Sequence, residues 1–323
     1  MKYRLLTLLG ALCLAGAPVS AQTIPSIGAL TNGLTAFSTG VTKSLPLAAA
    51  TGIDWSNAYI GQLIDSNFPF VHFGIGVASG VTSIPVSTIN PLLEAFGQPD
   101  LQYAGIPFTV INARLGGLFL PFDVGFKVGF LPDSLSTAVK GFTFKYQNFG
   151  FDLRYLLVKS DFWLPDVSVG GGVNYLSSSA TYVLGPDQSV SYGGHTLTIP
   201  APLANLNMSS LEFEGKVQVS KTLFFLLTPY LGAALGYASS TASAGINSGG
   251  AISDSQGNLG FWQPYLGQVT STGFNLSNSA RDLALTVYGG TSINVLIVKV
   301  DLQGIYSILD GSYGGSVGVR IQL

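Results

Sequence analysis

Large apolar residues alternate with polar or glycine residues along most of the chain. Between Phe122 and Phe130 every even position is large and apolar, whereas every odd position is polar or glycine. The stretches 211–219, with one glycine on the apolar face, and 316–323 repeat this alternation. Because successive side chains of a β-strand point to opposite faces, a period of two residues predicts two-faced strands rather than helices.

The alternation predicts ten strands, joined by connections of unequal length. The second, fourth, sixth and eighth connections are short, whereas the others include the long stretches 81–105, 181–206 and 239–280; the ninth, 310–312, is also short. Outer-membrane barrels have short periplasmic turns and longer outside loops, and an even number of strands brings the chain back to its starting side. The predicted strands are 68–80, 106–118, 122–131, 139–158, 165–180, 207–220, 224–238, 281–293, 296–309 and 313–323.

The fourth predicted strand changes phase along its length. Thr143, Lys145 and Gln147 share one polar face. Asp152 and Arg154 continue that face at the opposite parity. One extra residue in a strand shifts its parity, so a β-bulge near 147–148 is expected.

Composition decides which face of these strands points outward. Only 9% of residues are charged, against about 25% in soluble domains. A soluble barrel would turn its polar stripe outward, but here that stripe is mostly Gly, Ser, Thr and Asn. Aromatic residues gather at the short turns, as they do at membrane interfaces: Phe119, Phe122, Phe162, Trp163, Phe224 and Phe225. We therefore predict an all-β fold, a closed antiparallel up-and-down transmembrane β-barrel of about ten strands.

Residues 1–21 have the organisation of a secretory signal peptide. A basic head precedes an apolar stretch from Leu5 to Ala15, and 19–21 offers small residues for cleavage. Cleavage would remove Cys13, the only cysteine, so neither a disulfide nor a thiolate metal site is expected. Of the 14 basic residues, Lys2 and Arg4 would also be lost, which leaves 12 against 16 acidic residues. This balance predicts no nucleic-acid partner.

Three runs carry a family resemblance: WSNAYIG at 55–61, LPFDVGFK at 120–127 and LPDVSVG at 164–170. On these runs the chain resembles spirochaete-type outer-membrane β-barrels of uncharacterised function. The resemblance implies a place in the outer membrane of a Gram-negative-type (diderm) bacterium, in contact with its lipid. The last strand is similar to the signal read by barrel-assembly machinery, although it ends in Leu323 rather than in an aromatic residue.

Candidate chemistry is sparse. His72 lies on the small-residue face of the first strand and His195 in a Gly-rich outside segment, and two histidines without cysteine do not favour zinc. The run 314–318 matches G-x-S-x-G, but that motif needs a following helix and the alternation here continues as a strand. We expect no enzyme, no metal and no cofactor.

The polar faces of the strands are expected to line the lumen. Their basic and acidic residues nearly balance, which favours mutually paired charges over an ion-selective ring. A polar track for a small solute is the alternative. The lumen-lining candidates are His72, Arg114, Asp123, Lys127, Lys145, Asp152, Arg154, Glu212, Glu214, Lys216, Asp282, Lys299, Asp301 and Arg320.

Residues 22–66 show no alternation but allow a helix from Ser26 to Val41. Barrels of about eight strands are filled by side chains, and open channels need about sixteen. We expect this segment to plug the lumen. The alternative is a disordered periplasmic leader, but such a segment does not need large residues such as Trp55, Tyr59 and Ile60. The predicted domains are a signal peptide (1–21), an N-terminal segment (22–66) and a barrel (67–323).

The pattern favours passive or gated passage of small or apolar solutes across the outer membrane. The alternative is a non-transporting structural or adhesive surface protein that acts through its long loops. Exposed aromatic residues often carry binding energy, which makes Phe261, Trp262 and Tyr265 the loop contact candidates. These three rings could equally pack against their own loop. An enzyme that acts on lipids is the third hypothesis for function. It is the weakest, because the sequence does not place a nucleophile and a base together.

Overall fold

The computed structural model describes residues 27–62, 72–85, 87, 102–117, 120–131, 142–183, 186–201, 203–266 and 268–323. The predicted signal peptide and the start of the first predicted strand lie outside these residues. In chain order the elements are α1 (Ile27–Ala50), β1 (Phe73–Pro85), β2 (Tyr103–Gly116), β3 (Phe122–Phe130), β4 (Phe142–Val158), β5 (Asp166–Val183), β6 (Gln188–Tyr192), β7 (His195–Ile199), β8 (Leu203–Ser220), β9 (Leu227–Asn247), β10 (Ser253–Asp254), a 3-10 turn (Leu259–Trp262), α2 (Gln263–Leu266), β11 (Gln268–Thr270), β12 (Gly273–Val295), β13 (Val298–Ser307) and β14 (Tyr313–Gln322).

Ten long strands form a closed barrel. Each pairs antiparallel with its neighbours in the order β1, β2, β3, β4, β5, β8, β9, β12, β13 and β14. The ring closes where β14 pairs with β1, for example Val319 opposite Val77. Closure leaves the ring without an unpaired edge along its common height. The predicted ten-stranded antiparallel barrel is confirmed.

The strands bury one face in the lumen and expose the other. In β3, Asp123 and Lys127 are buried, whereas Phe126 and Val128 are about half exposed, at 50% and 48%. The exposed faces of the other barrel strands are mainly apolar. At the short turns the aromatic rings project furthest, with Phe224 94% exposed. An apolar exterior that ends in aromatic rings is typical of a barrel that meets lipid.

Of the strands that extend beyond the predicted bounds, β9 and β12 extend furthest. β9 and β12 pair without interruption from Asn247 opposite Gly273 to Leu227 opposite Ile293. The predicted loop 239–280 is therefore strand at both ends, over 239–247 and 273–280. Its residues are mainly small, such as Ala242 and Ala244, so inward and outward positions differ little in hydrophobicity and the alternation is hard to see.

The prediction for the fourth strand is wrong in its phase. β4 pairs with β5 in continuous register through 147–148, and its only irregularity lies between Leu156 and Val158. Lys145 consequently points outward and is exposed, while Phe144 and Tyr146 point into the barrel. The polar face does not mark the lumen at this level, because a helix inside the barrel gives large apolar side chains a surface to pack against.

That helix is α1, which lies inside the barrel. Phe37, Val41 and Leu45 are buried against inward-facing apolar side chains of the wall. The helix continues nine residues past the predicted end at Val41, through Pro46. Its N-terminal part contacts α2, among the long loops, so the chain enters the lumen at the loop end and runs toward the short turns. No described helix has the length and hydropathy needed to cross a membrane.

The long loops fold into a small unit, here called the lid (residues 186–201 and 248–266). Its sheet joins β6, β7 and β10, and its apolar core includes Leu197, Ile252 and Trp262. Trp262 is fully buried, so it is not available as a loop contact residue and that prediction is wrong for it. Phe261 stacks on His195 with ring centroids 4.0 Å apart, and Tyr265 belongs to the same aromatic cluster. The loop rings pack against their own unit because that removes their apolar surface from water.

Candidate functional site

The candidate site is the contact between the barrel wall and the plug, the name used here for residues 27–62. Below α1 the plug runs as an extended segment toward the short turns, and its backbone is held by polar side chains from the strands. The site has three levels along the barrel axis.

The upper level holds the C-terminal end of α1. Lys127 Nζ donates hydrogen bonds to the carbonyl oxygens of Ala49 and Thr51, the latter at 2.8 Å. Asn148 Nδ2 donates to Ala48 O at 3.3 Å and to Ala49 O at 3.2 Å. The last carbonyls of a helix lack partners within the helix and carry partial negative charge, so a buried ammonium group and an amide satisfy them.

The lower level is a network centred on Asp123, next to the short turn between β2 and β3. Its carboxylate accepts from Arg114 at 2.5 Å, from Arg154 at 2.9 Å and from the backbone N–H of Ile60 at 3.2 Å. Arg114 also pairs with Asp152 at 2.7 Å. All four charged side chains are almost completely buried, and such charges are tolerated only when they are paired and hydrogen-bonded.

Lys216 connects this network to the plug. Its Nζ lies 2.7 Å from Asp54 of the plug, 2.8 Å from Asp152 and 3.4 Å from Glu214. The lysine thus joins a carboxylate of the plug to carboxylates of two wall strands. Removal of the plug would take one of these partners away.

The middle level surrounds Trp55, which lies between the plug residues held at the other two levels. The indole Nε1 donates to Asn112 Oδ1 at 2.9 Å, and Gln218 Nε2 donates to the Trp55 carbonyl at 2.7 Å. The Arg320 guanidinium lies over the ring, 4.7 Å from its centroid, and donates to Ser56 Oγ at 2.8 Å. A cation over an indole face is attractive and strengthens as water is excluded.

Little space remains beside the plug at this level. A cavity of about 20 Å³ lies between Gly52, Asp54 and the wall residues Asn112, Asp301 and Arg320. Such a cavity has room for about one water molecule. At this position the described segment leaves room for little more than that molecule.

Most predicted lumen residues face the plug or its network. His72 lies beside the plug, with Nδ1 2.5 Å from Gln62 O. Glu212 is buried in the same interior, and Arg320 pairs with Asp301. Lys299 donates to Asn57 of the plug at 3.2 Å.

Lys145 and Asp282 do not join this network. Lys145 points outward, as described above. Asp282 is exposed, since β13 ends opposite Thr286 and β12 continues beyond it. Asp282 lies above the end of β13, whereas at the height of Lys145 the inside of the barrel is occupied by α1 and its apolar neighbours.

Several residues of the site are absent from the sequence prediction. Asn112, Asn148 and Gln218 share the inward parity of predicted residues but are uncharged, and the prediction rests on charges alone. Asp54 completes the charge balance, because the interior then holds six cations and six carboxylates among the described residues. These are Arg114, Lys127, Arg154, Lys216, Lys299 and Arg320 against Asp54, Asp123, Asp152, Glu212, Glu214 and Asp301.

A separate polar cluster holds the lid together. Asp254 accepts hydrogen bonds from His195 Nδ1 at 3.0 Å, from Trp262 Nε1 at 3.1 Å and from the Asn258 backbone at 3.0 Å. Burial opposes the carboxylate charge, but these hydrogen bonds outweigh it and hold the pKa of Asp254 well below its ordinary value.

Acid is therefore expected to loosen the lid. A carboxyl group with a lowered pKa stabilises the folded lid fully above its unfolded pKa of about 3.9, and this stabilisation is lost as the pH falls through the lower folded value. The Trp262 contribution to fluorescence, taken as the difference between the protein and Trp262→Phe, should stay constant from neutral pH down to mild acid. It should shift to longer wavelength only at stronger acidity. An Asp254→Asn variant should lack this transition, and an equal transition in that variant would contradict the assignment.

A closed antiparallel barrel with an apolar exterior and a polar, filled interior defines an outer-membrane-type β-barrel protein. Within that class, residues 68–323 match the Lsa36-like family, and the chain belongs to it. No curated protein matches the chain significantly.

Similar solved structures include several outer-membrane proteins. The outer membrane protease OmpT from Escherichia coli is 9% identical with a TM-score of 0.42, over 78% of this chain and 97% of that chain. The translocator domain of autotransporter NalP from Neisseria meningitidis is 9% identical with a TM-score of 0.32, over 80% and 91%. A major outer membrane protein from Thermus thermophilus is 15% identical with a TM-score of 0.30, over 78% and 99%.

Proposed function

We propose that the protein is exported by its signal peptide to the outer membrane and allows gated passage of small or apolar solutes. In this proposal 67–323 is the conduit and 22–66 is the gate. The spirochaete-type origin and the dependence of insertion on barrel-assembly machinery, acting through the last strand, stay predictions.

The observation that carries the proposal is the polar contact between plug and wall. Along 51–62 the plug is held by hydrogen bonds and ion pairs from six strands of the barrel, including Arg154 to the Asn57 carbonyl at 2.8 Å and Ala58 N–H to Ser220 Oγ at 2.8 Å. If the plug moved away, these wall groups would face water, which also forms hydrogen bonds with them. The free-energy cost of separating such a polar contact is therefore lower than that of separating an apolar core.

The interior also suggests which solutes would pass. The half of the lumen near the loops is apolar, with Ile106, Phe108 and Leu176 facing α1, whereas the half near the short turns is charged. A ten-stranded wall leaves a narrow interior even without the plug. Both features favour small solutes that tolerate apolar surroundings.

A disulfide lock tests the gate directly. The Ala58–Ser220 hydrogen bond brings the two residues within the usual span of a disulfide, and the chain after the predicted signal peptide has no other cysteine. We expect Ala58→Cys/Ser220→Cys to be silent in a planar bilayer when oxidised and to regain wild-type openings when reduced. Trp55→Ala, which weakens the plug, should open more often than wild type.

Controls separate a closed gate from a misfolded barrel. Each single cysteine variant should respond to reductant as wild type does, and heat-modifiable gel migration should confirm a folded barrel. If Trp55→Ala and a variant lacking 22–66 were folded but both silent, the lumen would be a permanent filling and passage would be rejected.

A second candidate function is binding at the outer surface through the lid. The lid is an ordered unit with its own apolar core, and Tyr192 on it is 47% exposed beside Tyr265, their ring centroids 5.2 Å apart. Exposed aromatic rings on a rigid support are frequent binding anchors. Surface binding that survives Tyr192→Ala unchanged would count against this candidate.

A further inference from the structure

Among the described residues, the barrel wall has a side opening above the β13–β14 hairpin. β13 ends at Ser307 opposite Thr286, and only the Ile308 N–H continues the contact, at 2.8 Å to Leu285 O. β12 runs on for more than ten residues toward the lid, paired with β9 on its other side. Among the described residues no strand pairs with 276–285 on the open side.

Lys43 of the plug lies at this opening. On the same helix face, Thr39 accepts a hydrogen bond from Asn278 at 3.0 Å, and Leu47 packs with Tyr288. Because residues four apart in a helix lie one above the other, Lys43 stands between these two contacts. Its neighbours Thr42 and Ser44 are buried, yet Lys43 is exposed. An exposed ammonium group in the middle of an enclosed helix marks a gap in the wall.

Opposite charges border the gap. Asp282 lies between Asn278 and Tyr288 on β12, shares their inward parity and is exposed. In the described part of the chain, neither Lys43 nor Asp282 forms an ion pair. Arg281 on the outer face of β12 and Asp310 in the β13–β14 turn add one further charge of each sign. The border of the opening is therefore neutral but strongly dipolar.

Apolar and aromatic residues lie directly below the opening on the outside of the barrel. Leu283, Ile308 and Leu309 are about half exposed or more. Tyr306 and Tyr313 form the last pair of the hairpin and are also half exposed, as expected where a barrel leaves the hydrocarbon region. The opening thus lies just above the edge of the apolar exterior.

We propose that this opening binds the zwitterionic head of a phosphoethanolamine lipid. The acyl chains lie against Leu283, Ile308 and Leu309, and the head leans over the hairpin turn into the gap. There the phosphate pairs with Lys43 and the primary ammonium with Asp282. A purely anionic head would meet Asp282 without compensation, and a quaternary ammonium could not donate a hydrogen bond to it. The site is independent of solute passage.

Lipid binding by the full-length protein tests the proposal. Native mass spectrometry of detergent-solubilised protein should show retention of phosphatidylethanolamine over phosphatidylglycerol and phosphatidylcholine. Lys43→Ala and Asp282→Asn should each lower phosphatidylethanolamine retention about tenfold, the factor expected for one charge-assisted hydrogen bond. The double variant should lose little more, because both residues hold one ligand.

Matched variants at the other end of the barrel provide the control. Lys159→Ala and Asp161→Asn lie at the exposed turn between β4 and β5 and should retain lipid as wild type does. Equal retention of all three lipids, or no effect of Lys43→Ala, would overturn the proposal. Stronger phosphatidylglycerol binding in Asp282→Asn, with phosphatidylethanolamine unchanged, would show a simple anion site and overturn it as well.

Discussion

Replacement of Asp123 by asparagine is expected to lower the free energy of unfolding by about 3–5 kcal/mol, the usual cost of removing one partner from a buried ion pair. The substitution keeps the size of the side chain but removes its charge. Arg114 and Arg154 then lie close together without the carboxylate between them, although Arg114 keeps Asp152. The same change weakens the acceptor of the Ile60 N–H, so the plug is loosened together with the wall.

Urea titration of the refolded protein, followed by heat-modifiable gel migration, measures this loss. Asp282→Asn makes the same chemical change at an exposed position without an ion pair in the described structure, and should stay within about 0.5 kcal/mol of wild type. Equal midpoints for the two variants would mean that the Asp123 network does not stabilise the barrel.

Trp262→Ala is expected to unfold the lid while the barrel stays intact. The indole is fully buried in the lid core and donates its N–H to Asp254. Truncation of a buried tryptophan costs about 3–5 kcal/mol, and a unit as small as the lid has little stability beyond that. The barrel strands keep their own pairing, so the loss should be local.

Limited proteolysis of the protein in liposomes distinguishes local from global unfolding. Trp262→Ala should be cleaved rapidly within 186–201 and 248–266, and the barrel fragments should keep their heat-modifiable migration. Trp163→Ala removes the same side chain where it is 85% exposed and should be cleaved no faster than wild type. Resistance of both variants would show that the lid does not depend on its tryptophan.

The barrel is predictable because lipid imposes a simple rule on each strand. Where a strand crosses the apolar layer, one face must be apolar and the other faces the lumen, so β3 and β14 are readable from alternation alone. The rule stops at the edge of that layer. Lys145 lies beyond it, where the outside is water and the inside holds α1, and its orientation is the reverse of the predicted one.

The contact between plug and wall is only partly predictable. Charges on inward positions such as Lys127 and Arg154 can be identified, since a charge on a lipid-crossing strand must face inward. Their partners cannot be identified, because many are backbone carbonyls, such as those of Ala49 and Asn57. Every residue has a carbonyl group, so the residue type does not show which one accepts a hydrogen bond. The prediction for Trp262 is wrong for a similar reason, as a ring in a loop gives no sign of whether the loop folds around it.

The direction of α1 has a consequence for how the molecule is made. The chain passes once through the full height of the barrel before its first strand begins. The strands therefore surround a segment that precedes them in the same chain. A ring that had already closed would have to accept α1 lengthwise, past buried cations whose acceptors on the plug were not yet in place. A sheet that curls around the helix meets no such barrier, and the β1–β14 seam can join last. The strands then assemble around the plug. Closure of the ring and filling of the lumen occur in the same step.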